Sequence, residues 1–267
     1  MSSLIWKPAR WIARAIKKRI SPPTLSHLRY SGPYATWQEA VEASVGYDSP
    51  HVLSKVQAAV IDVLNGRSRY ERDGTTFDEL PKKYTLREKL SESLRPDDTI
   101  VDFGGGLGGT FINNRDVLEC HCNQFIVVEQ EVFCCAGSAI AQDYHLPISF
   151  LPSLADLPKP AADIVILSGV LQCIEGWKEV VSQVLKLQPR HIFLDRHPLV
   201  DGPTNVFVQE NDGYYETKVS YPIRMFNAKE LLDTFEDYTV KETWPSDFDP
   251  PEYRGFHLIP ASVSSRK

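Results

Sequence analysis

The sequence predicts an α/β fold built on a mainly parallel sheet with helices on both faces. Three observations carry that prediction. An apolar run closing on an acid, Ile100-Val101-Asp102, leads straight into Gly104, Gly106 and Gly108, as a buried strand does when it enters a tight loop. Short apolar runs then alternate with amphipathic stretches at residues 125–128, 148–151, 162–167 and 191–194, the rhythm of successive βα units. With 267 residues and 42% hydrophobic content, the chain is long enough to bury the core such a sheet needs.

Taken in order, the chain begins with an uneven charge. Residues 1–29 hold seven Lys and Arg and no acid, so this arm carries +7 while the rest of the chain carries −13, within a net charge of −6. At helical spacing Ile5, Ala9, Ile12, Ala13, Ile16 and Ile20 share one face, with Lys7, Arg10, Arg14, Lys17 and Lys18 opposite. Such a helix can lie on an anionic membrane surface, dock on the acidic body of the chain, or dock on a partner. Nucleic acid is not expected, because no second basic patch follows.

Residues 30–95 read as a helical cap. Thr36 with Glu39 forms a capping box that opens a helix over 37–44. Ser49-Pro50 opens a second over 52–64, with Val52, Val56, Ala59, Val60 and Val63 on one face, and residues 80–94 form a third. Between them, residues 70–78 mix aromatics, acids and bases, a composition suited either to an exposed loop or to a lid over an acceptor pocket.

Residues 96–267 then form the main domain, which begins with the glycine loop. Glycines at 104, 106 and 108 allow positive φ and a close approach of ligand to backbone. Gly104, Gly106 and Gly109 also satisfy the G-x-G-x-x-G of a dinucleotide site, so a nicotinamide-dependent oxidoreductase is one rival reading. A catalytically silent binding protein on the same scaffold is another. Glu129, at the end of the second strand and twenty residues beyond Gly109, can accept both ribose hydroxyls of an adenosine.

Asp102 argues against the nicotinamide reading and leaves the silent binding protein open. With Asp102 the loop reads D-x-G-x-G-x-G, which resembles motif I of class I S-adenosylmethionine-dependent methyltransferases, a Rossmann-like fold with a mainly parallel seven-stranded sheet. The resemblance implies S-adenosylmethionine as cofactor, with Asp102, Gly104, Gly106 and Gly108 around its amino-acid end and Glu129 on its ribose. Ser153, with Leu154 beside it, stands where that family often has an Asp for the adenine amino group. Ser168 opens the segment leading out of the fourth strand. A helix over 228–235 and strands over 238–244 and 255–259 match the antiparallel end of the same sheet.

Asp195, Arg196 and His197 follow the fifth strand, where open α/β sheets place their chemistry. They are the catalytic candidates, with His197 suited to act as a base near neutral pH. Asp195 and Arg196 read equally as a structural ion pair, and Tyr70, Arg72 and Tyr221 are second-rank candidates for acceptor contacts. More narrowly, Gly46-Tyr47-Asp48-Ser49-Pro50, Tyr70-Glu71-Arg72-Asp73, Val128-Glu129-Gln130, Val170-Leu171-Gln172, Asp195-Arg196 and Ser220-Tyr221-Pro222 resemble an uncharacterised bacterial methyltransferase group often associated with cell-surface polysaccharide biosynthesis. That closer resemblance implies O-methylation of a sugar or glycolipid acceptor.

Five cysteines invite a zinc reading of Cys120, Cys122, Cys134 and Cys135. The strand between the two pairs holds them about 20 Å apart, so no metal site and a reducing compartment are expected. The longest apolar run, 164–174, is too short to cross a bilayer. The expectation is a cytoplasmic protein, peripheral on the inner face of the membrane if the arm binds there.

Overall fold

The computed structural model describes residues 28–46, 50–159, 161–211, 219–247 and 252–261. Residues 1–27 of the basic arm, and 47–49 within the Gly46-Tyr47-Asp48-Ser49-Pro50 stretch, lie outside the described residues.

The chain opens with β1 (Leu28–Tyr34), α1 (Trp37–Glu42) and α2 (Pro50–Leu64). A hairpin of β2 (Tyr70–Arg72) and β3 (Thr75–Phe77) leads to α3 (Thr85–Ser93). Next come β4 (Asp98–Phe103), α4 (Gly109–Asn113), α5 (Arg115–Leu118), β5 (Cys122–Val128), α6 (Glu131–Asp143) and β6 (Ile148–Leu151). They are followed by β7 (Ile164–Ser168), α7 (Trp177–Lys186) and β8 (His191–Val200). The last elements are β9 (Asn205–Asn211), β10 (Val219–Asn227), α8 (Ala228–Leu232), β11 (Tyr238–Pro245) and β12 (Tyr253–Pro260).

Strands β6, β5, β4, β7 and β8 lie side by side, all parallel, and β12 runs antiparallel along β8 with β11 beyond it. These account for the seven strands expected. The sheet nonetheless has ten strands among the described residues, because β8 continues past Leu194 and its last two residues pair with β10. Antiparallel β9 and β1 extend it further. In β10 Val219, Ser220, Ile223, Met225 and Phe226 are all buried, so burial falls on both faces of the strand and no clean alternation marked it in the sequence. The cap is likewise not wholly helical, since it supplies β1 to this sheet and the β2–β3 hairpin.

Alternation along the central strands builds two cores. Ile100, Phe125, Val127, Ile164, Ile166 and Phe193 face one side, where they meet Val56 and Val60 of α2, Leu90 of α3, Phe111 of α4 and Ile140 of α6. Val101, Ile126, Val128, Val165, Leu167, Ile192 and Leu194 face the other, against Trp177, Val181 and Val184 of α7 and Leu231 of α8. Each such side chain is worth about 1.5–3 kcal/mol of burial. With both faces covered, the strands must read as near-continuous apolar runs, as they do.

Local signals set the helix ends. Thr36 Oγ1 accepts the Glu39 amide at 3.1 Å, and the Glu39 carboxylate returns to the Ala35 amide at 3.0 Å. The helical stretch after the glycine loop is broken in two at Asn114, whose side-chain amide donates to the Thr110 carbonyl at 2.7 Å. The helix after Asn227 ends at Leu232, earlier than expected. Among the described residues no helix is long and apolar enough to cross a membrane.

Candidate active site

The carboxyl ends of β4, β5 and β7 and the middle of β8 open into a cavity of about 700 Å³, roofed by the β2–β3 hairpin and walled by β9 and β10. A wider depression of about 1090 Å³ beside α7 and α8 holds none of the site residues marked in the sequence.

The glycine loop forms one end of the cavity. Gly104 has φ +74, and a Cβ there would collide with Val170. Gly106 has φ +57, with open space where a Cβ would project. Gly108 is not among the lining residues; its missing Cβ lets Ile148 approach at the start of α4, which is a packing role. Asp102 is 1% exposed and its Oδ2 has no hydrogen-bond partner among the described residues. Burial, with a smaller contribution from Glu129, pushes the Asp102 carboxyl up to about 7 against a bond from Thr110.

Glu129 stands across the loop. Its Oε1 accepts the Gln130 amide at 2.8 Å and its Oε2 the Gly106 amide at 3.3 Å. Burial raises this carboxyl, and the two amides oppose the shift. Each oxygen accepts one bond and so keeps a lone pair for a further donor.

Strand β8 departs from the expectation that it ends at Leu194. Asp195 and Arg196 together oppose Gly255 of β12, a bulge in which Arg196 adopts φ +59. Both residues line the cavity, which regular alternation would not allow. Asp195 accepts Ser168 Oγ at 3.1 Å and Trp244 Nε1 at 3.0 Å, and the Trp244 indole occupies the space a Cβ on Gly255 would need. Arg196 reaches across the cavity mouth to Asp73 of the hairpin at 2.6 Å.

Three expectations are corrected. His197 is fully buried, absent from the cavity lining and beside Phe226, and burial drives its imidazole down to about 3. A ring that stays neutral and cannot reach the cavity is not a base for a bound acceptor. Ser153 is spent capping a short 3-10 turn, accepting the Ala155 amide, and Leu154 is buried in the core. Neither lines the cavity, whereas Pro152, Gln130 and Phe133 do.

Glu71, not among the candidate site residues of the sequence, joins the site. It is 6% exposed, lines the cavity and is pushed up to about 7, by burial first and the charge of Asp73 second. Its backbone is clamped to α4 by Asn113 through bonds of 3.1 and 2.8 Å. The available signal was Asp73-Gly74, whose φ values of +49 and +83 make the two-residue hairpin turn that Asp-Gly favours. Tyr70, Arg72 and Tyr221 also line the cavity. At its far end Tyr221 and Tyr253 bond Gln209 at 2.7 and 3.3 Å, a wall of uncharged hydroxyl and amide groups.

Compared with known proteins, the chain matches no family model and no curated protein. Among solved structures it is similar to the N-terminal domain of EvdMO1 in the presence of SAH and D-fucose, at TM-score 0.48 and 12% identity over 79% of this chain and 98% of that one. It is similar to PH0226 protein from Pyrococcus horikoshii OT3, at 0.47 and 12% over 66% and 88%. A third is NcsB1, an O-methyltransferase from neocarzinostatin biosynthesis in complex with S-adenosylmethionine, at 0.47 and 15% over 66% and 52%. These likenesses are partial, and the chemistry of the site rests on its own residues.

Proposed function

We propose that the protein is an S-adenosylmethionine-dependent methyltransferase acting on a hydroxyl of a sugar or glycolipid in cell-surface polysaccharide biosynthesis. One observation carries the cofactor assignment: the orphaned buried oxygen of Asp102 and the half-satisfied carboxylate of Glu129 flank a glycine loop that leaves room for a ligand at Gly106. Donors of an amino-acid end and a ribose fit these acceptors. Phe133 and Pro152 supply apolar walls for an adenine in place of Ser153 and Leu154. Bound there, the cofactor supplies an electrophilic methyl group on a sulfonium centre.

The chain's own residues would hold and orient the acceptor. Gln209, Tyr221 and Tyr253 offer neutral donors and acceptors suited to a polyol. Asp195 and Arg196 stay as the acceptor-side candidates, with Asp195 fixed by Ser168 and Trp244. Holding a nucleophile in line supplies much of the rate in a displacement, and a base need only assist.

Calorimetric titration with S-adenosylhomocysteine tests the cofactor, and no binding would overturn the reading. Incubation with methyl-labelled cofactor and fractionated cell-surface glycans tests the acceptor; label in a non-glycan fraction would replace it. The arm over residues 1–29 extends the proposal to an anionic membrane surface, at about 1 kcal/mol per basic residue. Vesicle sedimentation should then be lost at high salt and in a variant lacking the arm. Equal sedimentation with and without the arm would refute it.

A further inference from the structure

Glu71 is a buried acid with its nearest cations engaged elsewhere. Arg72 and Arg196 both lie against Asp73, at 3.6 and 2.6 Å. Glu71 Oε2 accepts the Gly74 amide at 3.4 Å, and Oε1 packs against Gly109, directly behind the glycine loop. Asp102 reaches the same turn from the sheet side through its bond with Thr110, and its Oδ2 is buried without a partner. Two carboxyls thus flank Gly109–Thr110, one from the hairpin and one from β4. Burying a carboxylate is costly unless a cation or several donors complete it.

Resting on the cofactor reading above, we infer that Glu71 binds the ammonium group of the cofactor's amino-acid end, so that the β2–β3 hairpin belongs to the cofactor site rather than to an acceptor lid. The glycine loop locates that end, and Glu71 is packed on the residue that follows it. The cofactor's other cation, the sulfonium, has no N–H to donate, whereas an ammonium forms the charge-assisted bonds a carboxylate favours. The groups facing Glu71 are Arg72 and Asp73 on its own hairpin, Arg196 from β8 and the Gly74 amide. An ammonium added to that set stabilises the charged carboxylate, so binding near neutral pH releases a proton.

Three probes separate the possibilities: S-adenosylhomocysteine, its analogue lacking only the amino group, and 5′-methylthioadenosine, which lacks the whole amino-acid end. Glu71→Gln keeps the shape and should weaken S-adenosylhomocysteine by about 10–100-fold while leaving the other two within about twofold. Calorimetry in two buffers of different ionisation heat should show proton release in the wild type that shrinks in the variant. Glu71→Asp, which retains the charge at shorter reach, should lose affinity for S-adenosylhomocysteine selectively and less, and it serves if Glu71→Gln does not fold. Equal weakening of all three probes, or unchanged binding of S-adenosylhomocysteine, overturns the inference. Wild-type protein that binds 5′-methylthioadenosine but gains nothing from the amino group overturns it while leaving the cofactor site standing. Wild-type protein that binds none of the three removes the cofactor reading itself.

Discussion

The two ends of the parallel sheet both bury acids, and they treat them differently. At the amino end Asp98, 3% exposed, is held by Arg190 at 2.5 Å and by the Arg95 amide at 2.9 Å, and Arg190 also reaches Asp163 at 3.4 Å. Beside them His191 and His257 share a 2.9 Å contact and are driven by burial down to about 3 and about 4, which keeps both rings neutral. At the carboxyl end Glu71 and Asp102 are as deeply buried, yet each is pushed up to about 7. An end whose charges are closed by the protein itself serves stability. An end left short of cations and donors has free energy available for a ligand that brings them.

Breaking the open end should cost binding. Gly106→Val places a branched side chain at φ +57 in the space left for ligand, with backbone strain of about 1–3 kcal/mol. Titration with S-adenosylhomocysteine should give no measurable heat. Retained binding would mean the cofactor does not pass over this loop.

Breaking the closed end should cost stability alone. Arg190→Met leaves Asp98 buried without its cation, a loss of about 3–5 kcal/mol in urea unfolding, with ligand affinity unchanged. A drop in affinity comparable to that at Gly106 would erase the distinction between the ends. Glu129→Ala is the milder test of the open end. It removes acceptors for two ribose hydroxyls and should weaken S-adenosylhomocysteine by about 2–4 kcal/mol while the unfolding midpoint moves little.

The smallest effect sharpens the comparison through pH. Glu71 has its folded value raised from 4.5 to about 7, so its contribution is present below 4.5 and is lost as pH rises through 7. Glu71→Gln removes that loss. The unliganded variant should gain on the wild type by up to about 3 kcal/mol at pH 8 and by almost nothing at pH 4.5. Equal differences at both pH values would show that Glu71 titrates as an ordinary acid and that the open end is not short of cations.

What the chain determined by itself is what short-range periodicity encodes. The Asp102–Gly108 loop, Glu129 at the end of β5, the face of α2 carrying Val52, Val56 and Val60, and the order of βα units all follow from spacings within a few residues, because strand and helix periods are local. Tertiary structure decided which polar groups lose water and which find partners. His197 looked like a base by residue type and became an inert buried ring once Phe226 covered it. Arg196 took its partner from a hairpin distant in sequence, and the bulge opposite Gly255 turned Asp195 and Arg196 into one cavity. Glu71 became a site residue only where α4 met the hairpin. Desolvation and charge pairing are properties of elements in contact, so no window along the chain contains them.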